Sequence, residues 1–319
     1  MSEQRSETCP SPSTNRTPSL TSLNSPISRL SVLRLTSENS LRRRKARHLG
    51  QLRNESTRRC LSLMFKYQAR SISELYDKCT PEEWSELLYV ADINLHKHLN
   101  IALEMYIKEL LTLQRQNRWR WFCSYAADLP EEITEIKQIL RMNCIDFERF
   151  SNDVYFLYNL VDPKMNCLRL IGVPNSGKTC LAQLLVQPFI SAYVNNHNSE
   201  NEFYLSSFLN KAVCLCEELM ITPATAEDFK SILGGQAIEI SKKYTSKQTL
   251  IRTPIIVTSN HDNFGRGHLA PLDEVALSLR CMTHKFTTQY RPKVQITLPA
   301  LSYFVFDYCS IFNKCETQI

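Results

Sequence analysis

Apolar positions recur at three- and four-residue spacing from about 60 to 165, which predicts a run of helices. Thr80 and Glu83 have capping-box spacing and Pro81 suits a first helical position; Trp84, Leu87, Leu88, Ala91 and Leu95 then fall on one face. Ile133, Ile136, Ile139 and Leu140 repeat the pattern, and no glycine occurs between Gly50 and Gly172, which favours helices joined by short polar loops. Beyond 165 the texture changes. Short apolar runs, CLRLI, AVCLC and PIIVT, alternate with helical stretches, as in a parallel α/β sheet. AIEIS and QTLI predict two more strands flanking KKYTSK, and Gly234 and Gly235 close the helix before them. The first 40 residues, rich in Ser, Thr, Asn and Pro, show no period and are expected to be disordered. The boundaries that result are a tail over 1–59, a small all-α domain over 60–160, an α/β domain over 161–290, and a segment over 291–319 that packs on it as a strand or helix.

Charge sharpens the picture of the tail. Residues 1–59 carry 12 Lys/Arg against 4 Asp/Glu, more than the whole net charge of +6, so the folded remainder is close to neutral. Arg42, Arg43, Arg44, Lys45 and Arg47 form a basic cluster that reads as a nuclear-import signal, here to a host nucleus, or as a solvated charge run. Ser11, Thr17 and Ser25 each precede a proline, as in proline-directed phosphorylation sites, although composition alone produces such pairs. The 12 cysteines never take C-x2-C spacing, which points to reduced, mostly buried thiols. No apolar run approaches membrane-spanning length, so no membrane association is expected and a soluble intracellular protein is the default. His96 and His98 resemble a metal-binding pair, but within a helix residues two apart do not share a face. Arg118 and Arg120 interleave with Trp119 and Trp121; packing on the next domain is favoured over base stacking.

The chemistry lies in GVPNSGKT, residues 172–179, directly after CLRLI. It fits G-x4-G-K-[ST], the phosphate-binding loop. The chain has only 7 glycines, and two stand here. Gly172 and Gly177 permit the backbone geometry; the N–H groups of Val173, Pro174's neighbours Asn175 and Ser176, and the start of the next helix surround phosphate oxygens. Lys178 supplies charge at the β- and γ-phosphates and Thr179 a hydroxyl for Mg²⁺. AVCLC ends in Glu217 and Glu218, read as a metal-shell carboxylate and a water-polarising carboxylate respectively. PIIVTSN ends in Asn260, which can hydrogen-bond a γ-phosphate or the attacking water. Lys242, Lys243 and Lys247 sit at the predicted hairpin and would grip a phosphate backbone; a solvated turn is the commoner fate of such a sequence.

In this order, GVPNSGKT, the acid pair of AVCLCEE, ILGG with its lysine-tipped hairpin, and TPIIVTSN resemble the superfamily 3 helicases of small DNA viruses, most nearly the parvovirus large nonstructural replication protein. The resemblance covers roughly 160–290. It implies an α/β, AAA+-like P-loop fold with a parallel sheet flanked by helices, ATP and Mg²⁺ as ligands, and a homo-oligomeric ring, typically a hexamer, on single-stranded and replication-fork DNA. It implies that Lys178 and Thr179 bind nucleotide, Glu217 and Glu218 form the acidic motif, Asn260 is a sensor, and Lys243 contacts DNA. It also implies that Arg280, in LSLRCMTHKF, reaches a neighbouring subunit's ATP. There are departures: Val173 replaces the usual proline, and Leu215 and Cys216 replace common aromatics. The family's amino-terminal nicking domain, with its metal-binding histidines and nucleophilic tyrosine, is not found in the chain, so nothing here supports origin nicking. The competing readings are a phosphotransferase built on the same loop and a P-loop ATP-binding regulator without helicase activity.

Overall fold

The computed structural model describes residues 26–51, 54–91, 94–194, 204–242 and 245–312. Eight helices come first: α1 (Pro26–Gln51), α2 (Glu55–Tyr67), α3 (Ile72–Lys78), α4 (Pro81–Ala91), α5 (Leu95–Gln116), α6 (Arg118–Cys123), α7 (Pro130–Met142) and α8 (Phe147–Asn159). Local chemistry explains several boundaries. Asn54, Ser71 and Asp146 each accept the backbone N–H three residues on, capping α2, α3 and α8. At α4 the expected capping box forms in both directions, Thr80 N to Glu83 and Glu83 N to Thr80 Oγ1, each at 3.3 Å. The face read from Trp84 to Leu95 is divided: α4 ends at Ala91, Leu95 opens α5, and Leu88 is exposed.

Part of the segment read as a disordered tail is helical. In α1, Leu30 and Leu33 are buried, Arg34 donates to the carbonyls of Ser124 and Ala126, and Arg44 pairs with Glu109. Polar composition concealed this because only a few apolar positions, one helical turn apart, anchor an otherwise solvated helix. His98, in α5, bonds Thr57 Oγ1 at 2.9 Å. Trp119 and Trp121 are buried; Trp121 Nε1 donates to Pro188 O, and Arg118 Nε to Ala212 O at 2.8 Å, so this stretch packs against the sheet domain.

The second part comprises β1 (Cys167–Gly172), α9 (Lys178–Val186), β2 (Ser191–Val194), β3 (Val213–Glu217), α10 (Ala226–Leu233), β4 (Ile238–Lys242), β5 (Thr245–Leu250), β6 (Ile255–Ser259), α11 (Pro271–Ser278), β7 (Cys281–Phe286) and α12 (Leu298–Tyr308). Five strands form one parallel sheet in the order β2-β3-β6-β1-β7, and β4 and β5 form a separate antiparallel hairpin. Strands β1, β3 and β6 are buried almost throughout, which is why they read as unbroken apolar runs. One hydrophobic cluster runs from the helices, through Ile136, Ile139 and Phe150, into Leu168, Leu170 and Leu185 of the sheet layer and on to Phe304 of α12. Among the described residues, no helix is long and apolar enough to cross a membrane.

Candidate functional site

Because the sheet is parallel, its strands deliver their carboxyl ends to a common edge, where crevices form. The register sets those ends level: Gly172 lies opposite Phe286, Ile171 opposite Ser259, and Glu217 opposite Thr258. The glycine loop follows β1, the acid pair β3, Asn260 β6, and residues 287–292 follow β7.

The loop's shape is dictated by close approach. At Gly172 (φ 128°) a Cβ would lie 1.8 Å from Phe286 O, while Val173 N–H donates to that carbonyl at 2.9 Å. At Gly177 (φ 92°) a Cβ would lie 3.1 Å from Ile139 Cγ2, so α7 of the helical part props the loop from behind. Asn175 is left-handed at φ 57°, a conformation asparagine tolerates better than most residues. Its carbonyl accepts Tyr290 N–H at 2.9 Å, and Ser176 Oγ donates to Val173 O at 2.8 Å. The chain then enters α9, whose first N–H groups face whatever occupies the loop.

Lys178 is buried. Its ammonium donates to Gly172 O (2.9 Å), Val173 O (2.5 Å), Ser176 Oγ (3.2 Å) and Asn260 Oδ1 (3.2 Å). Burial holds its pKa below the usual lysine range, and the charge of Glu218 works in the opposite direction. A cation kept among neutral oxygens in a desolvated place gains most when an anion arrives.

A cavity of about 790 Å³ is lined by residues 174–180, by Glu218 and Asn260, and on the far side by Gln289, Tyr290, Arg291 and Pro292. Thr179 is part of that lining. Glu218 has a left-handed backbone (φ 50°), and its carboxylate accepts Asn260 Nδ2 at 2.8 Å and Asn260 N at 3.2 Å. Arg266 Nη2 stands 3.6 Å from Glu218 Oε2 and donates to Glu218 O at 3.0 Å. The two acids therefore part company. Glu217 is not among the lining residues; its carboxylate accepts Gln183 Nε2 at 3.1 Å, one turn along α9 from Thr179.

Arg280 also lies away from its own chain's cavity. It directly precedes β7, whose opposite end, Phe286, lies level with Gly172; a strand rise of about 3.3 Å per residue separates the two ends by about 20 Å. Its Nη1 donates to Ala276 O of its own helix. In the hairpin, Lys242 ends β4 and Lys247 is an exposed residue of β5, while Lys243 lies outside the described residues, as do Ser11, Thr17 and Ser25.

The far wall was not legible in the sequence. Strand β7 carries Thr283, His284 and Lys285, and His284 is buried, with Nε2 2.9 Å from Asp153 Oδ2, so the strand shows no apolar run. Without β7, residues 287–292 gave no signal. Glu135 of α7 fixes this wall: it accepts Tyr290 OH at 2.6 Å and Lys293 N at 3.1 Å, and that carboxylate pushes the Tyr290 phenol up to about 12. Arg266 was missed as well, since a lone arginine in a polar loop carries no pattern.

Comparison with known proteins follows this geometry. The family described as parvovirus non-structural protein NS1 matches residues 87–263, more than half of the chain. Replication protein E1 of human papillomavirus 66 is 30% identical over 152 residues, 46% of this chain and 24% of that protein. Initiator protein NS1 of Bombyx mori densovirus is 25% identical over 118 residues, 37% of this chain and 13% of that protein. The chain thus spans about a quarter or less of the length of these curated relatives. Among solved structures, a crystal structure of the JCV helicase bound to a phenoxyphenyl acetamide superposes with a TM-score of 0.53 at 13% identity, over 82% of this chain and 91% of that one, a likeness of fold.

Proposed function

The chain belongs to the parvovirus non-structural protein NS1 family, and from that premise we propose that it is an ATP-dependent DNA helicase of viral DNA replication, acting as a ring, most simply a hexamer, on single-stranded DNA at replication forks. The observation that carries the reading is the convergence of Lys178, Thr179, Glu218 and Asn260 on one cavity at the carboxyl edge of a parallel sheet. The relatives' names, a replication protein and an initiator protein, support the same role.

ATP is the substrate in this reading. The loop N–H groups and Lys178 would take the phosphates, which the desolvated ammonium favours. Thr179, with Glu217 one turn away through Gln183, would hold Mg²⁺, which when bound neutralises phosphate charge. Glu218 would accept the proton of the attacking water, its orientation fixed by Asn260. Arg280, remote from its own cavity, would complete a neighbouring chain's site, so that turnover depends on assembly. The hairpin lysines, Lys242, Lys243 and Lys247, would contact the DNA backbone. Import into the host nucleus through Arg42, Arg43, Arg44, Lys45 and Arg47 belongs to the same proposal, though the bond of Arg44 to Glu109 leaves the others to be read. A reporter fused to residues 36–60 that stays cytoplasmic ends that part.

The deciding measurement is phosphate release by the purified chain with and without single-stranded DNA. Turnover that DNA stimulates and Lys178→Ala abolishes is expected. Phosphate transfer to nucleosides, or nucleotide binding with no turnover, would replace the reading with one of its competitors.

A further inference from the structure

The cavity is continuous with a second groove of about 750 Å³, with which it shares Cys180, Arg291 and Pro292. The groove is bounded by Leu184 of α9, Tyr193 on the edge strand β2, and Val294 and Ile296, with exposed Arg291 and Lys293 beside it. Elsewhere, α11 presents an apolar ridge to solvent: Leu272 is 82% exposed, Val275 56% and Leu279 72%, at spacing that places them on one face. Carboxylates gather about that ridge: Glu227, Asp273 and Glu274 surround a single lysine, Lys230. Arg280 directly follows Leu279.

Resting on the reading above, we propose that the α11 ridge of one copy seats in the groove of the next, head to tail, with Leu272, Val275 and Leu279 covering Leu184, Tyr193 and Val294. Three observations select a second copy as the occupant. The ridge is acidic at its flanks and the groove basic at its rim, so the surfaces attract. Each apolar feature is unpartnered within one chain, and a ridge and groove on different faces generate a ring, not a closed dimer. The groove opens into the nucleotide cavity and the ridge ends at Arg280, so seating one in the other brings Arg280 to a cavity that its own chain cannot reach, about 20 Å being the length of β7. The cavity is then completed only by a neighbour.

The test uses the full chain with a non-hydrolysable ATP analogue and single-stranded DNA. A Leu272→Ser/Leu279→Ser variant changes only exposed side chains and should fold as the parent does. Binding of a fluorescent ATP analogue should stay within about twofold of the parent, while light scattering shows loss of the multimer and DNA-stimulated turnover falls at least tenfold. A photoreactive residue at position 279 should form adducts that map to residues 184–193 or 291–296 of another chain. A ridge variant that assembles and turns over like the parent, or adducts that map elsewhere, would overturn the proposal. If the parent binds no nucleotide, the helicase reading fails by itself, and the adducts still decide the interface.

Discussion

The carboxylate of Glu218 reaches the cavity through a backbone conformation that costs a non-glycine residue roughly 1–2 kcal/mol. Such local strain persists where surrounding contacts over-determine it, here the bonds from Asn260 and Arg266. Glu218→Gln keeps the shape and most of these contacts but cannot take a proton. Phosphate release should fall by about 10²–10⁴ while ATP-analogue affinity is retained; equal turnover would move the base elsewhere. Lys178 makes a prediction about pH. Burial lowers its pKa in the empty cavity, and a bound polyanion restores it, so binding takes up a proton. Affinity should therefore fall as pH rises through the lysine's lowered pKa, and titrations in buffers of different ionisation enthalpy should reveal the uptake. Lys178→Met should remove that slope. Gly172→Ala would drive a Cβ against Phe286 O and should lower stability by roughly 3 kcal/mol or more, measured by thermal unfolding.

At the scale of elements, β3 decides the roles of its two acids. Successive side chains of a strand point to opposite faces, so adjacent carboxylates leaving its end are sent apart, one toward Gln183 and one toward Asn260. The hairpin is anchored by Ile240 and Leu250, both buried, and leaves Lys247 exposed. A rigid base with a charged outer end suits backbone contact without base recognition. Lys247→Ala should weaken single-stranded DNA binding equally across sequences and reduce the slope of log affinity against log salt by about one. An unchanged slope would detach this residue from the DNA.

At the scale of the whole molecule, the helical part and the sheet part meet in one core, and Ile139 belongs to both that core and the loop's support. Ile139→Ala should cost about 2–5 kcal/mol in stability and, unlike most core truncations, also weaken nucleotide binding, because Gly177 loses the surface behind it. Thermal unfolding together with ATP-analogue titration checks this. Lost stability with unchanged affinity would separate the two parts.

The sequence alone determined the phosphate loop, the strands that carry it and its acid pair, the helical character of residues 60–160, and the capping of α4. Each depends on short-range order: a fixed spacing, a buried apolar run or a helical period. Tertiary structure decided which acid faces the cavity, that Tyr290 and Arg291 form its far wall, that α1 packs on the rest, and that Arg280 stands a strand's length from its own site. Those outcomes arise from strand order and register, which bring together residues more than a hundred positions apart, as Glu135 and Tyr290 show. No local period encodes such pairings, because the free energy that fixes them comes from packing the whole sheet and not from any one segment of it.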